Sequence, residues 1–454
     1  MKKNIQPSPD QDDFFSFDDL PDRWTIKKLG EIVSPSKKKI EPTAGSTIPY
    51  IGLEHIESNS SKIIGHGISG DAKSTKTVFH AGDVLYGKLR PYLNKVTIPD
   101  FDGVCSTDIL VFNQNQIIDS RYLMRYLSIG DVVKYANLKS KGISLPRVSF
   151  ESLMEIPVPL PPLAEQQRIV ARVEALVTHV NAARERMSRV PLIMKKFRQA
   201  VLAAACSGRL TEGWRESNAV VGIEQSLQKD EVDFNDETNT PFYIGSIPET
   251  WGWISIDDAM EKVIDYRGRT PPIENEGIPH ITTSNIRNGH INWITEKFVT
   301  QETYDNYMTR GIPAIGDVFF TMEGPLGEVA ILHENRKFSL AQRMLLLRGQ
   351  KEIFDSEYLA FALMCSGVQS AINMKATGSG VKGIAYKRFK HVKIPLPPLA
   401  EQCEIVRRVG LLFERADAFD QEVAAASRRC ERLTQAVLGK AFRGELTTHD
   451  SKAN

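Results

Sequence analysis

The octapeptide PLPPLAEQ occupies residues 159–166 and recurs without change at residues 395–402, an offset of 236 positions. The same offset relates the two copies of a tetrapeptide, QAVL, at residues 199–202 and 435–438. A repeat on this scale is typical of a duplicated architecture. Because the offset stays constant over the whole stretch, without insertion or deletion, we predict that each copy is a rigid segment.

The rigid segments follow a helical pattern. Apolar residues recur in alternate steps of four and three from Ile169 to Ala204, and the second copy repeats this from Ile405 to Val437. Such sustained heptad spacing predicts two long helices that pack as a coiled coil. Pro191 predicts a kink in the first helix, since proline removes a backbone donor and clashes with the preceding turn. Because the first helix leaves one unit and the second leaves the other, we expect an antiparallel pair with one unit at each end.

The regions between the helices are variable. Weaker echoes, such as Gly82-Asp83-Val84 with Gly316-Asp317-Val318, drift in offset, which is typical of loops of different length on a shared fold. β-Branched and aromatic runs predict strands, and helices are expected near 119–137 and 355–373. The predicted fold class is α+β: two α/β units separated by two long antiparallel coiled-coil helices in a pseudo-twofold tandem repeat. The predicted boundaries are a loose acidic N-terminal extension (1–19), a first unit (20–158), a first spacer helix (159–212), a linker (213–246), a second unit (247–394), a second spacer helix (395–447) and a C-terminal tail (448–454).

Composition excludes several classes of protein. The 454 residues are 41% hydrophobic and 25% charged, as in ordinary globular domains. A net charge of +1 excludes a uniformly basic nucleic-acid coat, although local basic patches remain compatible with it. The five cysteines form no CxxC pair, which fits reduced thiols. No apolar run approaches the roughly 18–20 residues of a membrane span, and no signal peptide is evident, so we expect a soluble, cytoplasmic protein.

Enzyme motifs are weak or incomplete. The segment from Gly82 to Lys88 is one residue short of a phosphate-binding P-loop, and Pro91 is incompatible with the helix that should follow. A GxGxxG pattern at 378–383 lacks the preceding strand and following helix of a dinucleotide site. The sequence holds no HExxH array, no nucleophile elbow and no Asp/Asn-Pro-Pro-Tyr/Phe tetrapeptide of amino-methyltransferases. We predict no catalytic, cofactor-binding or metal-binding residue in this chain.

Basic residues precede each long helix without intervening acids. We interpret Lys141-Gly142-Ile143 and Lys382-Gly383-Ile384 as equivalent loops that contact phosphates of a DNA duplex. Other loops carry Arg and Asn, which form bidentate contacts with guanine and adenine in the major groove. For each loop, the alternative is an exposed, solvated charge. The candidate DNA-binding residues are Lys88, Arg90, Tyr92, Asn94, Lys139, Lys141, Arg147, Arg267, Arg269, Asn285, Arg287, Lys382, Lys387 and Arg388.

With its two PLPPLAEQ segments, the chain resembles the DNA-specificity (S) subunit of type I restriction–modification systems over essentially its whole length. The QAVL segments and the following Gly208-Arg209-Leu210-Thr211 and Gly444-Glu445-Leu446-Thr447 support this likeness. The resemblance implies two target-recognition domains, each reading one half of a split double-stranded DNA site. It also implies helices that hold two modification (M) subunits, which methylate adenine at N6, and an ATP-dependent nuclease once restriction (R) subunits join. S-adenosylmethionine, ATP and Mg²⁺ would then be bound by the partner subunits.

Two other classes of function remain as alternatives. A coiled-coil scaffold without DNA would account for the long helices but not for the duplicated basic loops, and filter binding on duplex DNA distinguishes the two. An enzyme using the incomplete P-loop would bind nucleotide, which equilibrium dialysis would detect.

Overall fold

The computed structural model describes residues 14–15, 17, 20–71, 74–218, 222–223, 240–378 and 380–446. The chain forms two compact units, the first from residues 1–188 with 424–454 and the second from residues 189–423. The predicted C-terminal tail lies outside the described residues, as do most of the predicted N-terminal extension and much of the predicted linker. Each unit combines one variable region with parts of both predicted long helices.

Helices occupy both the variable regions and the spacers. In the described residues they are α1 (Leu29–Ile32), α2 (Ser120–Leu127), α3 (Gly130–Leu138), α4 (Phe150–Met154), α5 (Leu163–Ser188), α6 (Val190–Cys206), α7 (Glu212–Ser217), α8 (Thr240–Ile244), α9 (Ile256–Ala259), α10 (Gln301–Tyr307), α11 (Ser356–Met364), α12 (Ser366–Lys375), α13 (Tyr386–Phe389) and α14 (Leu399–Phe442). None of these helices has the length and hydropathy needed to cross a membrane.

The strands of the first unit are β1 (Thr25–Lys28), β2 (Lys39–Ile40), β3 (Pro49–Ile51), β4 (Gly67–Ile68), β5 (Lys76–Phe79), β6 (Val84–Gly87), β7 (Val96–Thr97), β8 (Gly103–Cys105), β9 (Ile109–Phe112) and β10 (Pro157–Leu160). They form sheets in the orders β2-β5-β8-β3-β4, β7-β6-β9 and β1-β10. Most pairs are antiparallel, and β3 and β8 are parallel. The predicted mixture of helix and sheet is confirmed.

Within the described residues, the second unit has a related arrangement with one strand more. Its strands are β11 (Gly252–Ser255), β12 (Met260–Asp265), β13 (Ile278–Ile281), β14 (Ile286–Arg287), β15 (His290–Ile291), β16 (Phe298–Val299), β17 (Val318–Thr321), β18 (Val329–Ile331), β19 (Ser339–Leu340), β20 (Met344–Gly349) and β21 (Lys393–Leu396). The sheet orders are β12-β20-β17-β18, β16-β13-β19, β11-β21 and β14-β15. The parallel pair β13–β19 corresponds to β3–β8 of the first unit.

Two predictions about helices need correction. The single helices expected near 119–137 and 355–373 are each two helices, α2 with α3 and α11 with α12. The chain becomes extended between them, at Ile129 and at Cys365, and both of these side chains are buried. The turn therefore lets both helices of each pair pack against the core of their unit.

The first spacer is interrupted, as Pro191 predicted: α5 ends at Ser188 and α6 begins at Val190. The strict heptad seam is wrong near the start of α5. Leu176 is 41% exposed, whereas its neighbour Val177 is buried and continues the row of Val173 one helical turn on. Burial here follows the 3.6-residue period of a helix packed on α2 rather than the 3.5-residue period of a coiled coil.

The long helices contact each other in each unit, and the contacts within the second unit confirm that they run antiparallel. In the first unit, the hydroxyl of Ser427 on α14 donates to the sulfur of Met187 on α5 at 3.9 Å. In the second unit, the guanidinium of Arg198 on α6 donates to Asp417 at 2.6 Å and to Asp420 at 2.8 Å, both on α14. In the same unit, the guanidinium of Arg408, earlier on α14, donates at 2.8 Å to the carbonyl of Leu210, later on the first spacer, so the two helices run antiparallel there.

The repeated octapeptide joins a strand to a long helix. Its first residues belong to β10 and β21, which pair antiparallel with β1 and β11 at the start of each variable region. Its last residue anchors the helix, since the side chain of Gln166 accepts from the backbone amide of Asp119, the N-cap of α2. Gln402 does the same with Asp355, the N-cap of α11. The octapeptide is therefore duplicated because it performs one structural task in each unit.

The two units also share a close contact at the glycine that follows each long helix. Gly208 and Gly444 have φ values of 76° and 79°, in the left-handed region that favours glycine. A Cβ on Gly208 would lie 2.4 Å from Cγ of Pro248, and a Cβ on Gly444 would lie 2.7 Å from the ring of Pro21. Each glycine thus allows the end of a spacer to approach the proline that opens a variable region.

Replacing Gly208 with alanine is expected to destabilise the second unit by about 2 kcal/mol, because the methyl group meets both an unfavourable φ and the ring of Pro248. Denaturant unfolding followed by circular dichroism would measure the change. The matched control is Gly213→Ala, since nothing lies within 4 Å of a Cβ at that helical position. Equal stability of the two variants would contradict the proposed packing.

Candidate nucleic-acid interface

The two predicted basic loops of the first unit, 88–94 and 139–147, lie side by side. The backbone amide of Arg90 donates to the carbonyl of Pro146 at 2.7 Å, and its guanidinium donates to the carbonyl of Ser144 at 3.4 Å. The fold therefore assembles one surface from loops that are distant in sequence. It brings together the predicted residues Lys88, Arg90, Tyr92, Lys139, Lys141 and Arg147.

The charged side chains of this surface differ in how they are held. The guanidinium of Arg147 donates twice to the carboxylate of Asp108, at 2.8 and 3.2 Å, and this contact raises the pKa of Arg147 above its ordinary value. The ammonium of Lys139 lies 5.7 Å from the ring centroid of Tyr135. All three of Arg90, Lys141 and Arg147 are exposed, and the bond to Asp108 gives Arg147 a role in shaping the loop.

Two predicted asparagines are structural. Asn94 is buried, and its amide donates to the carbonyl of Ser128 at 3.1 Å. Asn285 is also buried: its amide donates to the carbonyls of Asn292 and Ile294, and its oxygen accepts from the backbone amide of Thr282. Their hydrogen bonds hold loops in place and leave little of either side chain to reach a base edge. We therefore remove Asn94 and Asn285 from the candidate set.

A cleft of about 560 Å³ marks the corresponding part of the second unit. It is bounded by a turn after β12, by the ends of β17 and β20, and by the loop before α13. Its lining residues are Arg267, Gly268, Met322, Glu323, Gln342, Arg343, Thr377, Gly378, Val381, Gly383, Ile384 and Ala385. The cleft therefore gathers loops that the sequence separates by more than one hundred positions.

Three predicted arginines near this cleft are held by their own unit. Arg267 forms a bidentate ion pair with Asp265. Arg269 lies over the ring of Tyr307, with 5.6 Å to the centroid. Arg287 donates to the carbonyl oxygens at the base of its own loop. These contacts position the loops, so direct base reading by these three arginines would require breaking existing bonds.

The remaining predicted cations follow the cleft-lining loop. The guanidinium of Arg388 donates to the carbonyl of Lys375 at 3.3 Å. Lys382 and Lys387 are exposed. Nearby, Lys390 forms an ion pair with Asp257 at 2.7 Å. Lys382 and Lys387 are thus the lysines of this segment best placed for solvent-facing contacts.

The predicted equivalence of the two Lys-Gly-Ile tripeptides is wrong. Lys141 exchanges two backbone hydrogen bonds with Arg147, and the same pair of bonds joins Thr377 to Gly383. The loops 141–147 and 377–383 therefore correspond, with the same 236-residue offset as the octapeptide. Lys141 is matched by Thr377, so the two loops carry their basic residues at different positions.

Sequence reasoning missed several residues of the cleft. Gln342 and Arg343 lie in the turn between β19 and β20, and Thr377 lines the same cleft. The two strands pair in different sheets rather than with each other, so no local hairpin signal places the Gln-Arg pair beside the predicted loops. Both residues also line an adjoining hollow of about 200 Å³ that contains His280, whose pKa is lowered to about 4 by burial and by Lys297.

The described residues contain no group of three His, Cys, Asp or Glu side chains arranged to hold a metal ion. The incomplete P-loop and the GxGxxG pattern both belong to ordinary elements of the fold. Part of the incomplete P-loop forms strand β6, and the GxGxxG segment belongs to the loop that lines the cleft.

Two α/β units, each with a cluster of basic loops and each packed on long antiparallel helices, define a duplicated nucleic-acid-recognition protein. The type I restriction modification DNA specificity domain matches this sequence twice, at residues 21–187 and 248–418. The chain belongs to this family, and it is a DNA-recognising specificity subunit of the type I restriction–modification class.

Individual relatives agree with this assignment. The chain is 29% identical to the type I restriction enzyme EcoBI specificity subunit of Escherichia coli, across 76% of this chain and 68% of that protein. It is 30% identical to the EcoKI specificity subunit of E. coli strain K12, across 68% of this chain and 61% of that protein. A chain from a solved assembly of the type I R-M system has the same fold, with a TM-score of 0.68 and 23% identity, covering 94% of this chain and 99% of that one.

Proposed function

We propose that this chain recognises a bipartite, asymmetric site on double-stranded DNA, with one half-site read by each unit. The observation that carries the proposal is the presence of corresponding loop surfaces in the two units, 141–147 and 377–383, with different side chains at matching positions. Different side chains on a shared backbone framework suit two different half-sites. The exposed cations beside the loops suit contacts with phosphates.

We further propose that the chain directs the chemistry of partners and performs none itself. Two M subunits would methylate adenine at N6, and R subunits would add ATP-dependent cleavage; S-adenosylmethionine, ATP and Mg²⁺ would be bound by these partners. Large apolar side chains exposed on the long helices support a docking role, since exposed apolar surface is typical of interaction sites. They are Leu176, Leu192, Ile193, Phe197, Leu411, Phe419 and Leu433.

Methylation mapping tests the proposal. Host DNA should acquire N6-methyladenine at one split motif when this chain is expressed with its M subunit, and at none when either protein is expressed alone. The purified chain, verified free of M subunit, should transfer no methyl group. Two results would contradict the proposal that this chain recognises the site and the M subunits methylate it. One is methylation by the purified chain, and the other is methylation by the complex at sites that share no sequence motif.

The exposed lysines of the second unit are expected to act through phosphates. Lys382→Ala combined with Lys387→Ala should weaken binding to all duplexes alike and reduce the slope of log K against log salt by about one per lost contact. Filter binding at several salt concentrations would measure this slope. Lys351→Ala is the control, because this exposed lysine follows the opposite end of β20 from the cleft. Altered sequence preference with an unchanged slope would refute the phosphate role.

A further inference from the structure

Backbone hydrogen bonds establish which residues of the two loop surfaces correspond. The amide of Lys88 donates to the carbonyl of Asp108, and the amide of Met322 donates to that of Arg343, both at 2.9 Å. The carbonyl of Lys88 accepts from Val148, as that of Met322 accepts from Ile384. Lys88 therefore corresponds to Met322. Two residues further along the chain, Arg90 corresponds to Gly324, and a proline follows each of them, Pro91 and Pro325.

Arg90 and Gly324 both have a positive φ. Arg90 has φ 52° and ψ 63°, in the left-handed region, and Gly324 has φ 57°. Glycine adopts this region without penalty, whereas a residue with a Cβ adopts it rarely. Residues held there against their preference are concentrated at functional sites. The first unit therefore has an arginine at a position where the backbone favours glycine, and the second unit has glycine there.

The second unit supplies a guanidinium to the same place from another position. Nη1 of Arg343 lies 3.6 Å from the point that a Cβ on Gly324 would occupy. In the first unit, the residue matching Arg343 is Asp108, whose carboxylate is bound by Arg147. Each unit thus presents one arginine at this point of the fold, Arg90 in the first and Arg343 in the second.

These two arginines differ in their contacts from Arg147 and Arg267, the loop arginines that aspartates bind. Among the described residues, the guanidinium of Arg90 makes one long hydrogen bond, of 3.4 Å to the carbonyl of Ser144. That of Arg343 has one ion-pair contact, of 3.8 Å to Glu323, and its side chain is 53% exposed. Arg147 and Arg267, in contrast, are bound bidentately by aspartates. Arg90 and Arg343 therefore retain most of their donors for a ligand.

We propose that Arg90 and Arg343 are the specificity-determining residues of the two units, each reading the O6 and N7 edge of one guanine. This inference rests on the proposed function. Two parallel N–H donors of a guanidinium match the two acceptors of guanine in the major groove, and this is the commonest specific contact of arginine with DNA. The two half-sites would each contain a guanine, read from a different position of the same framework.

The test uses the chain assembled with its M subunits, and maps methylated sites for Arg90→Gly and Arg343→Gly. Each variant should lose roughly 5- to 150-fold preference for one guanine in one half-site, with the other half-site unchanged. Arg90→Gly should also unfold at the same temperature as the parent chain or higher, because glycine suits the left-handed backbone. Arg336→Ala is the control, since this partly exposed arginine of the second unit lies over Trp293 and outside the cleft lining.

The outcomes separate this inference from the function on which it rests. A parent complex without two half-sites would overturn both. If the parent complex reads two half-sites but neither variant changes them, the inference fails and the proposed function stands. The inference also fails if a variant weakens binding equally on all sequences with a lower salt slope, since its arginine would then contact a phosphate, or if either half-site lacks guanine.

Discussion

Replacing Glu401 with alanine is expected to lower the free energy of unfolding of the second unit by about 3–5 kcal/mol. Glu401 follows the start of α14 and is fully buried. Its carboxylate accepts from the hydroxyl of Thr211 at 2.6 Å, from the indole N–H of Trp251 at 2.8 Å, and from the guanidinium of Arg215. Removing the carboxylate would leave the largely buried Arg215 without its charge partner, together with two unsatisfied buried donors.

Denaturant unfolding followed by circular dichroism would measure this loss. Glu401→Gln should be less damaging, because an amide oxygen still accepts hydrogen bonds although the charge is removed. Glu414→Ala provides the matched control, since this glutamate is exposed on the same helix. A loss below about 1 kcal/mol for Glu401→Ala, comparable to that of an exposed ion pair, would disprove the anchoring role.

Inserting four residues after Ala183 is expected to reduce binding to the parent DNA site by about 100-fold, or to require a different spacer between half-sites. The insertion lengthens α5 by about 6 Å and rotates the following residues by about 40°. Met187 and Arg198 meet Ser427 and Asp417 on the single unbroken helix α14. Both residues lie after the insertion, whereas Val173, before it, shares a core cluster with Phe442 at the end of α14, so a longer first spacer cannot keep the contacts on both sides of the insertion. A loss of about 3 kcal/mol of packing corresponds to this factor.

If each unit reads one half-site, as proposed, mapping the methylated sites of the insertion variant would show the change in spacer length. The bases within each half-site should stay the same, because neither variable region is altered. A seven-residue insertion after Asn218 is the control, as this position follows α7 and belongs to neither long helix. Changed bases in a half-site with an unchanged spacer would show that the helices do not set the spacing.

Much of the fold follows from local patterns. The repeated octapeptide and the heptad spacing predicted the long helices and their order, because helix periodicity is a short-range property. The interruption before Pro191 also follows from one residue's covalent structure. The exposure of Leu176 does not, since it depends on which face of α5 packs on α2. The alternate spacing of apolar residues by four and three positions shows that a helix forms, but it cannot indicate on which side a neighbouring element packs.

The candidate site was only partly predictable. The basic loops could be located, because runs without acids are visible in the sequence. The pairing of Arg147 with Asp108 was not visible, since 39 positions separate these residues. Asn94 and Asn285 have the chemistry of base-reading side chains, yet the fold uses both to hold loops. Residue type therefore indicated which side chains could contact DNA, but not which of them were already bonded within the protein.

The sequence by itself determined the duplication, the long helices, and the constant offset that relates the two copies, because each is a matter of order along the chain. Only the tertiary structure decided that Lys88 corresponds to Met322, and that Arg343 stands beside Gly324 where the first unit has Arg90. These relations depend on hydrogen bonds between segments far apart in sequence. Loops of different length carry no local signal of their register, so the register becomes defined only when the strands beneath them pair.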